Sequence, residues 1–355
     1  MPQPLRTRLT VVALAALVLL TVGAVVGVRW WQDRSRTDLE RAVAWAPTGS
    51  LRFSWTDWAG VRRELGSDVD ASSSTGDVEE LLAEGFDADL TSTSSMVDSV
   101  ATLHTELGVS PAVVDWELLS QGEDGSLTTM GLPDSVSFST LGDRFEDLGY
   151  ARPSDADGVW EGGDDLLATL GGLSPQFGYV ALVEDRGLLL ASDSAAYLGE
   201  ALEALDQDSI EDEGLDQVTE AVGEPLSAQL YTGDQACRAL AMSQADPADE
   251  EAGNELIADA GEVNPMTGFA IAGEPDGDVL VAMSFENDDQ ARRNADSRAV
   301  LASGPAPGQG GEFADRFELG DVTADGTVVT MQLRPTEGSY VLSDLSTGPV
   351  LFASC

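Results

Sequence analysis

The chain contains no lysine; all 18 of its basic residues are arginine. That absence excludes a lysine Schiff base, a Ser–Lys dyad and a lysine-bearing phosphate loop. Histidine is nearly absent too. His104 stands alone, with no nucleophile context such as Gly-x-Ser-x-Gly around any serine, so a Ser–His–Asp triad has no sequence support. His104 reads instead as a helix residue beside Leu103. Cysteine is limited to Cys237 and Cys355, which together with a single histidine excludes zinc sites of the His/Cys type. In an exported domain two cysteines suggest one disulfide, with two unpaired buried thiols as the alternative. The bridge would close a loop of about 118 residues, stabilise by roughly 5 kcal/mol through lost chain entropy, and hold the last residue in place. No cysteine lies near the amino-terminal apolar run, which rules out lipoprotein processing.

Acid is what the chain has in excess. Sixty-three Asp and Glu give a formal charge of −45. Residues 1–63 carry half of the arginines against Asp33, Asp38, Glu40 and Asp57, a net of about +5, so the rest of the chain holds about −50. Such a surface repels nucleic acid and anionic lipid, stays soluble and attracts cations.

Residues 9–28 form an uncharged run of 20 residues rich in Leu, Val and Ala. At 1.5 Å per residue this is about 30 Å of helix, the thickness of a bilayer core. Arg29, Trp30 and Trp31 follow directly, a pairing that membrane–water interfaces favour. Val25-Val26-Gly27 resembles a signal cleavage site, but the run exceeds the roughly 7–15 residues of a signal h-region, which favours an uncleaved anchor over a cleaved signal. A count of flanking arginines favours the large domain inside. Long domains translocate largely regardless of charge, however, and Asp33, Asp38 and Glu40 dilute the second cluster. The reading is therefore a cytoplasmic amino terminus (1–8), a transmembrane anchor (9–28), a polar stalk (29–42) and an extracytoplasmic domain in two sub-domains, 43–210 and 211–355.

Turn chemistry predicts four β-hairpins, over residues 114–130, 179–192, 269–285 and 317–333. Each is centred on a Gly- and Asp-bearing turn such as Asp325-Gly326. Helices are predicted over 77–83, 96–107 with Gly108 as its stop, 195–205 after a Ser/Asp/Ser cap, and 288–301. A weak repeat supports this alternation. Pro133–Thr140 and Pro225–Thr232 share Pro, Ser and Thr in register, Ser50–Ser54 is a looser third copy, and each reads as a strand feeding a helix. The fold class is α+β, antiparallel hairpins alternating with helices that pack on one face.

Fragments that invite chemistry are weak. Asp155-Ala-Asp157-Gly158 matches the centre of a calcium loop, but Pro153 and Asp164 occupy its two anchor positions. Asp321–Gly326 fails similarly and reads as a hairpin turn. Asp164-Asp165 and Asp288-Asp289 read as helix-start acids favoured by the macrodipole. Residues 304–311 (Gly-Pro-Ala-Pro-Gly-Gln-Gly-Gly) lack the strand–helix context of a phosphate cradle and read as a flexible loop. Trp45, Trp55 and Trp58 read as core, with contact to bilayer or partner as the alternative. No catalytic, cofactor or metal residue is assigned.

Residues 54–66 (Ser-Trp-Thr-Asp-Trp-Ala-Gly-Val-Arg-Arg-Glu-Leu-Gly), 304–311 and the ending 340–355 resemble uncharacterised actinobacterial membrane-anchored proteins, consistent with the GC-rich coding implied by abundant Ala, Gly, Arg, Asp and Val. That resemblance implies a location and no activity. The expectation is a non-catalytic, single-pass cell-envelope protein whose acidic extracytoplasmic domain binds an envelope protein or polymer, with the bilayer met through residues 9–28. An exported hydrolase using carboxylates alone is the alternative, and a divalent-cation-dependent envelope domain the second.

Overall fold

The computed structural model describes residues 36–155, 158–207 and 209–355. Twelve α-helices and eleven strands follow in chain order. The first half runs α1 (Asp38–Ala44), β1 (Ser50–Thr56), α2 (Trp58–Leu65), α3 (Thr75–Asp87), α4 (Val100–Thr102), β2 (Trp116–Gly122), β3 (Ser126–Gly131), α5 (Phe138–Leu148), β4 (Val159–Glu161), α6 (Gly163–Leu170), β5 (Tyr179–Val183), β6 (Leu188–Ser192) and α7 (Ala195–Ala204). The second runs α8 (Glu213–Val222), β7 (Ser227–Thr232), α9 (Gly233–Ala239), α10 (Pro247–Ala260), β8 (Gly268–Gly273), β9 (Val279–Ser284), α11 (Asp288–Ala302), β10 (Phe317–Asp325), β11 (Val328–Pro335) and α12 (Val341–Leu345).

All eleven strands join one antiparallel sheet in the order β10-β11-β9-β8-β7-β1-β2-β3-β6-β5-β4. The four predicted hairpins are β2–β3, β5–β6, β8–β9 and β10–β11. The sheet is continuous through the β1–β7 pair, so the chain on either side of residue 210 contributes to one surface. Around that pair the topology is matched. β1 leads into α2 and pairs with β2, which pairs with β3, while β7 leads into α9 and pairs with β8, which pairs with β9.

Helices cover both faces, correcting the expectation of one. On the first face Phe53, Trp55, Leu118, Leu190, Leu230 and Ala270 build a core with Leu39 of α1, Leu198 of α7 and Val218 of α8. The opposite face carries two cores. Val61, Leu103, Phe145, Val180 and Leu189 lie over one end of the sheet; Phe269, Val281, Met331, Phe313 and Leu342 lie over the other. The reason is visible strand by strand. β3, β6, β7 and β8 are buried at every position, with Ala, Ser, Thr and Gly between the large residues, and a strand covered on both faces need not alternate.

Three local expectations also change. Residues 36–42, assigned to a stalk, include the start of α1, a capped helix (Thr37 with Glu40) whose Leu39, Ala42 and Val43 enter the first core. A three-residue period hidden among charges explains why they read as polar; residues 29–35 and the 9–28 run lie outside the described residues. Among the described residues no helix is long and apolar enough to cross a membrane. Pro133–Ser137 is a turn entering α5 and not a strand, so the strand-to-helix step occurs at Ser50 and Pro225 only. Finally, the 77–83 helix is longer, Thr75–Asp87, and the 96–107 helix is irregular, ending in a wide turn over Leu103–Leu107 before Gly108 in the left-handed conformation.

The last fifteen residues are tied down from four directions. Asp89 accepts from the amides of Leu342 (2.6 Å) and Ser343 (3.0 Å), and Tyr231 Oη donates to the Ser346 carbonyl at 2.6 Å. Arg298 is fully buried without an acid. Its guanidinium donates to Asn294 Oδ1 (3.0 Å), to the Asn264 carbonyl (2.8 Å) and to the Phe352 carbonyl (2.5 Å), and burial lowers its pKa to about 9, so it stays charged at neutral pH. Cys237 of α9 and Cys355 form the disulfide, with Cα atoms 5.4 Å apart. Reducing it, or replacing both cysteines by serine, should lower the unfolding free energy by about 3–5 kcal/mol in urea titrations, with the native circular-dichroism spectrum kept at room temperature because the other three ties remain.

Candidate functional site

The ends of the central strands frame a cavity of about 930 Å³. Its floor is apolar: Val43 of α1, Phe53 of β1, Leu215 of α8 and Met266 are all buried. Its rim is acidic. Glu123 and Asp124 come from the β2–β3 turn, Glu211, Asp212 and Glu213 from the start of α8, and Asp234 from α9, against the single cation Arg238. The wall between α8 and α9 is backbone packed on backbone. A Cβ on Gly214 would stand 2.1 Å from the Thr267 carbonyl oxygen, and one on Gly233 would stand 2.3 Å from that of Met266. Only glycine permits that approach.

Thr232 lines the cavity at the end of β7. Its Oγ1 is buried without a hydrogen-bond partner, although Thr232 precedes α9 where a threonine usually caps. A buried hydroxyl left unpaired at a cavity wall is a polar contact available to an occupant. Ser50, at the β1 edge of the same cavity, has its hydroxyl engaged by Pro47 O and Tyr197 Oη.

A second polar group lies deeper. On the two-core face, the strands between the cores present Ser54, Thr56, Ser227, Gln229, Glu117 and Thr128, a polar seam under the segment 91–99. Thr93 bridges Ser227 Oγ (2.7 Å) and Thr56 Oγ1 (3.3 Å); Ser95 Oγ meets Thr128 Oγ1 at 3.2 Å. Glu117 is buried completely. Its Oε1 accepts from the Ser95 amide at 3.1 Å, while Oε2 and the neighbouring Trp58 indole N–H fall short of a hydrogen bond. Desolvation raises its pKa to about 7, outweighing the hydrogen bonds from Ser94 and Ser95. Glu117 lines neither described cavity.

The residues singled out by sequence disperse. His104 is buried, its Nε2 2.8 Å from the Ser73 carbonyl and its Nδ1 3.0 Å from Ser110 Oγ, so it joins two loops. Trp55 and Trp58 are core, Trp55 stacking on Trp116 at 5.3 Å, whereas Trp45 stays partly exposed. Asp164, Asp165, Asp288 and Asp289 sit in first helical turns, whereas Asp321–Asp325, expected as a turn, form the end of strand β10, paired with β11, and only Gly326 and Thr327 make the turn. Asp157 lies outside the described residues. Residues 304–311 pack on the chain end through Gln309, which donates to the carbonyls of Asp344 (3.2 Å) and Pro349 (3.1 Å). Among the described residues no three His, Cys, Asp or Glu side chains gather as a cation site. Neither Thr232 nor Glu117 stood out in the sequence. A Glu inside Trp-Glu-Leu-Leu is the one signal that could have flagged a buried carboxyl.

No family model and no curated protein matches the chain. Among solved structures, crystal form I of TP0453 is similar at 8% identity and a TM-score of 0.41, over 88% of this chain and 98% of that one. A likeness of that size carries no argument about function.

Two substitutions test these assignments. Glu117 binds its proton more tightly folded than unfolded, so stability falls as pH rises from the unfolded pKa near 4.5 to the folded value near 7, by about 3 kcal/mol. Glu117→Gln should therefore be more stable than wild type above pH 7 and lose that advantage by pH 5, read from paired melting curves. Thr232→Val should change stability by less than about 0.5 kcal/mol, because no hydrogen bond is lost; a loss above about 1 kcal/mol would mean the hydroxyl is already paired.

Proposed function

We propose that this chain is a non-catalytic, membrane-anchored cell-envelope protein whose acidic extracytoplasmic domain holds a cationic segment of a partner protein or polymer in the 930 Å³ cavity. The observation that carries the reading is the lining: six carboxylates and one arginine around a floor of Val43, Phe53, Leu215 and Met266. A group that suits it has a positive charge to meet the rim and an apolar stem to cover the floor, as an arginine- or lysine-bearing strand with a leucine or valine does. The volume lies within the range of ordinary ligand pockets, enough for a few side chains. The unpaired Thr232 hydroxyl supplies a directional contact at the wall. A carboxylate-only hydrolase has less support, because the carboxyl group best suited to act as a general acid, Glu117, is sealed from both cavities.

Any acidic protein attracts a cationic peptide, so the test must separate the cavity from the general field. Full-length chain in neutral detergent would be titrated with a labelled peptide of alternating Arg and Leu, followed by fluorescence polarisation. Neutralising Asp124, Glu211 and Asp234 together should weaken binding by about tenfold or more, while neutralising exposed Glu79, Glu80 and Glu84 of α3 should cost no more than about twofold. Equal losses in the two triple variants would reject the cavity as the binding site.

A further inference from the structure

A second, smaller cavity of about 270 Å³ lies beside the acidic one and has the opposite sign. Arg36, Arg41 and Arg186 line it with Trp45, and Asp206 is its one acid. Three of the chain's 18 arginines thus converge at one point of a domain that is otherwise anionic. The two cavities share Ala44 and Gln207, so the positive and negative linings meet along one edge.

The arginines are held by short-range contacts. Arg41 donates to the Arg36 carbonyl at 2.9 Å and pairs with Asp38 one turn away. Arg186 pairs with Asp206 at 2.9 Å, and its guanidinium lies 5.9 Å from the Trp45 ring centroid. Arg36 makes no ion pair among the described residues, although the carboxyl of Asp216 feels its charge. Asp206 is the one carboxylate that lines the hollow against three guanidiniums, with Asp38 beside Arg41 and Asp216 near Arg36 outside the lining, so the lining itself is net positive. Planar guanidinium forks match phosphate oxygens, and a partly exposed indole beside them suits the headgroup layer of a membrane.

The pocket also lies where the chain would leave the bilayer. Arg36 comes eight residues after the end of the apolar run 9–28, a reach of no more than about 29 Å even fully extended. The domain's overall negative charge does not prevent contact at this end, because screening at physiological ionic strength limits a phosphate to charges within about 8 Å, and the side chains that line the hollow are three arginines against Asp206.

We propose that the Arg36–Arg41–Arg186 pocket binds the phosphate of an anionic phospholipid in the membrane that residues 9–28 enter, seating the domain with this end against the lipid surface. The inference rests on the anchored reading given above. Binding is non-covalent and requires no co-reactant.

The test uses the full-length chain with neutral phosphatidylcholine vesicles or with vesicles containing phosphatidylglycerol. Co-sedimentation reads the anchor, and hydrogen exchange of residues 36–46 and 184–188 reads the pocket. The proposal expects co-sedimentation with both, and exchange slower by about fivefold only with phosphatidylglycerol. That difference should vanish in the Arg36→Gln/Arg41→Gln/Arg186→Gln variant, whose melting temperature checks that it folds. Co-sedimentation and protection with phosphatidylglycerol vesicles alone would support the pocket and overturn the anchor. Co-sedimentation with both but equal exchange would overturn the pocket and leave the anchor standing. Binding to neither would overturn both. Full protection by millimolar glycerol phosphate in neutral vesicles would overturn the lipid source in favour of a soluble phosphate.

Discussion

Pairing of β1 with β7, from Arg52 opposite Tyr231 to Thr56 opposite Ser227, joins segments about 180 residues apart and makes one sheet of two matched halves. On one face the pair continues a single apolar core, with Phe53 and Trp55 beside Ala228 and Leu230. Separating the halves would cut that core and expose two long strand edges at once. On the other face the same strands offer Ser54, Thr56, Ser227 and Gln229, which apolar side chains cannot satisfy. Thr93, Ser95 and Glu117 fill that seam with hydrogen bonds, and the two cores of this face stay apart on either side of it. The central pair therefore sets how the halves meet, where polar groups must be buried and where the strand ends open into a cavity.

Charge follows the same geometry. Apart from Glu117, which burial drives toward the neutral form, and a few partly buried acids such as Asp89, the carboxylates stay at the surface. At the central strand ends, however, one turn and two helix starts bring six of them around an apolar floor. The adjacent arginine-lined hollow has the opposite sign, with only Ala44 and Gln207 between them. The two hollows differ in the sign of the side chains that line them, six carboxylates against one arginine in the first and three arginines against one aspartate in the second.

The carboxyl-terminal segment shows how distant residues stabilise a stretch with little secondary structure. Asp89, itself in the left-handed conformation, supplies acceptors for the start of α12, and burial raises its pKa against those same hydrogen bonds. Arg298 reaches the Phe352 carbonyl from α11, Tyr231 reaches Ser346 from the centre of the sheet, and the disulfide closes the end onto α9. The loop 304–311 packs here through Gln309. Residues 304–311 and the chain end are therefore neighbours in space.

The sequence by itself determined the four hairpins, the starts of α7 and α11, the disulfide partners available and the sign of the surface. Those features depend on residues a few positions apart: Asp-Gly turns, Ser and Asn caps, and alternating side chains. The helix α1 was not legible, because its four apolar residues are meaningful only against the sheet they cover. Helices on both faces were not legible either, since β6 and β8 carry small and apolar residues at every position and no alternation marks their orientation. Only the tertiary structure decided which carboxyl group is buried, that Thr232 keeps an unpaired hydroxyl, and that Arg36 and Arg186 share one hollow. Burial and charge proximity are properties of segments brought together across a hundred residues or more, and no local pattern encodes which ones will meet.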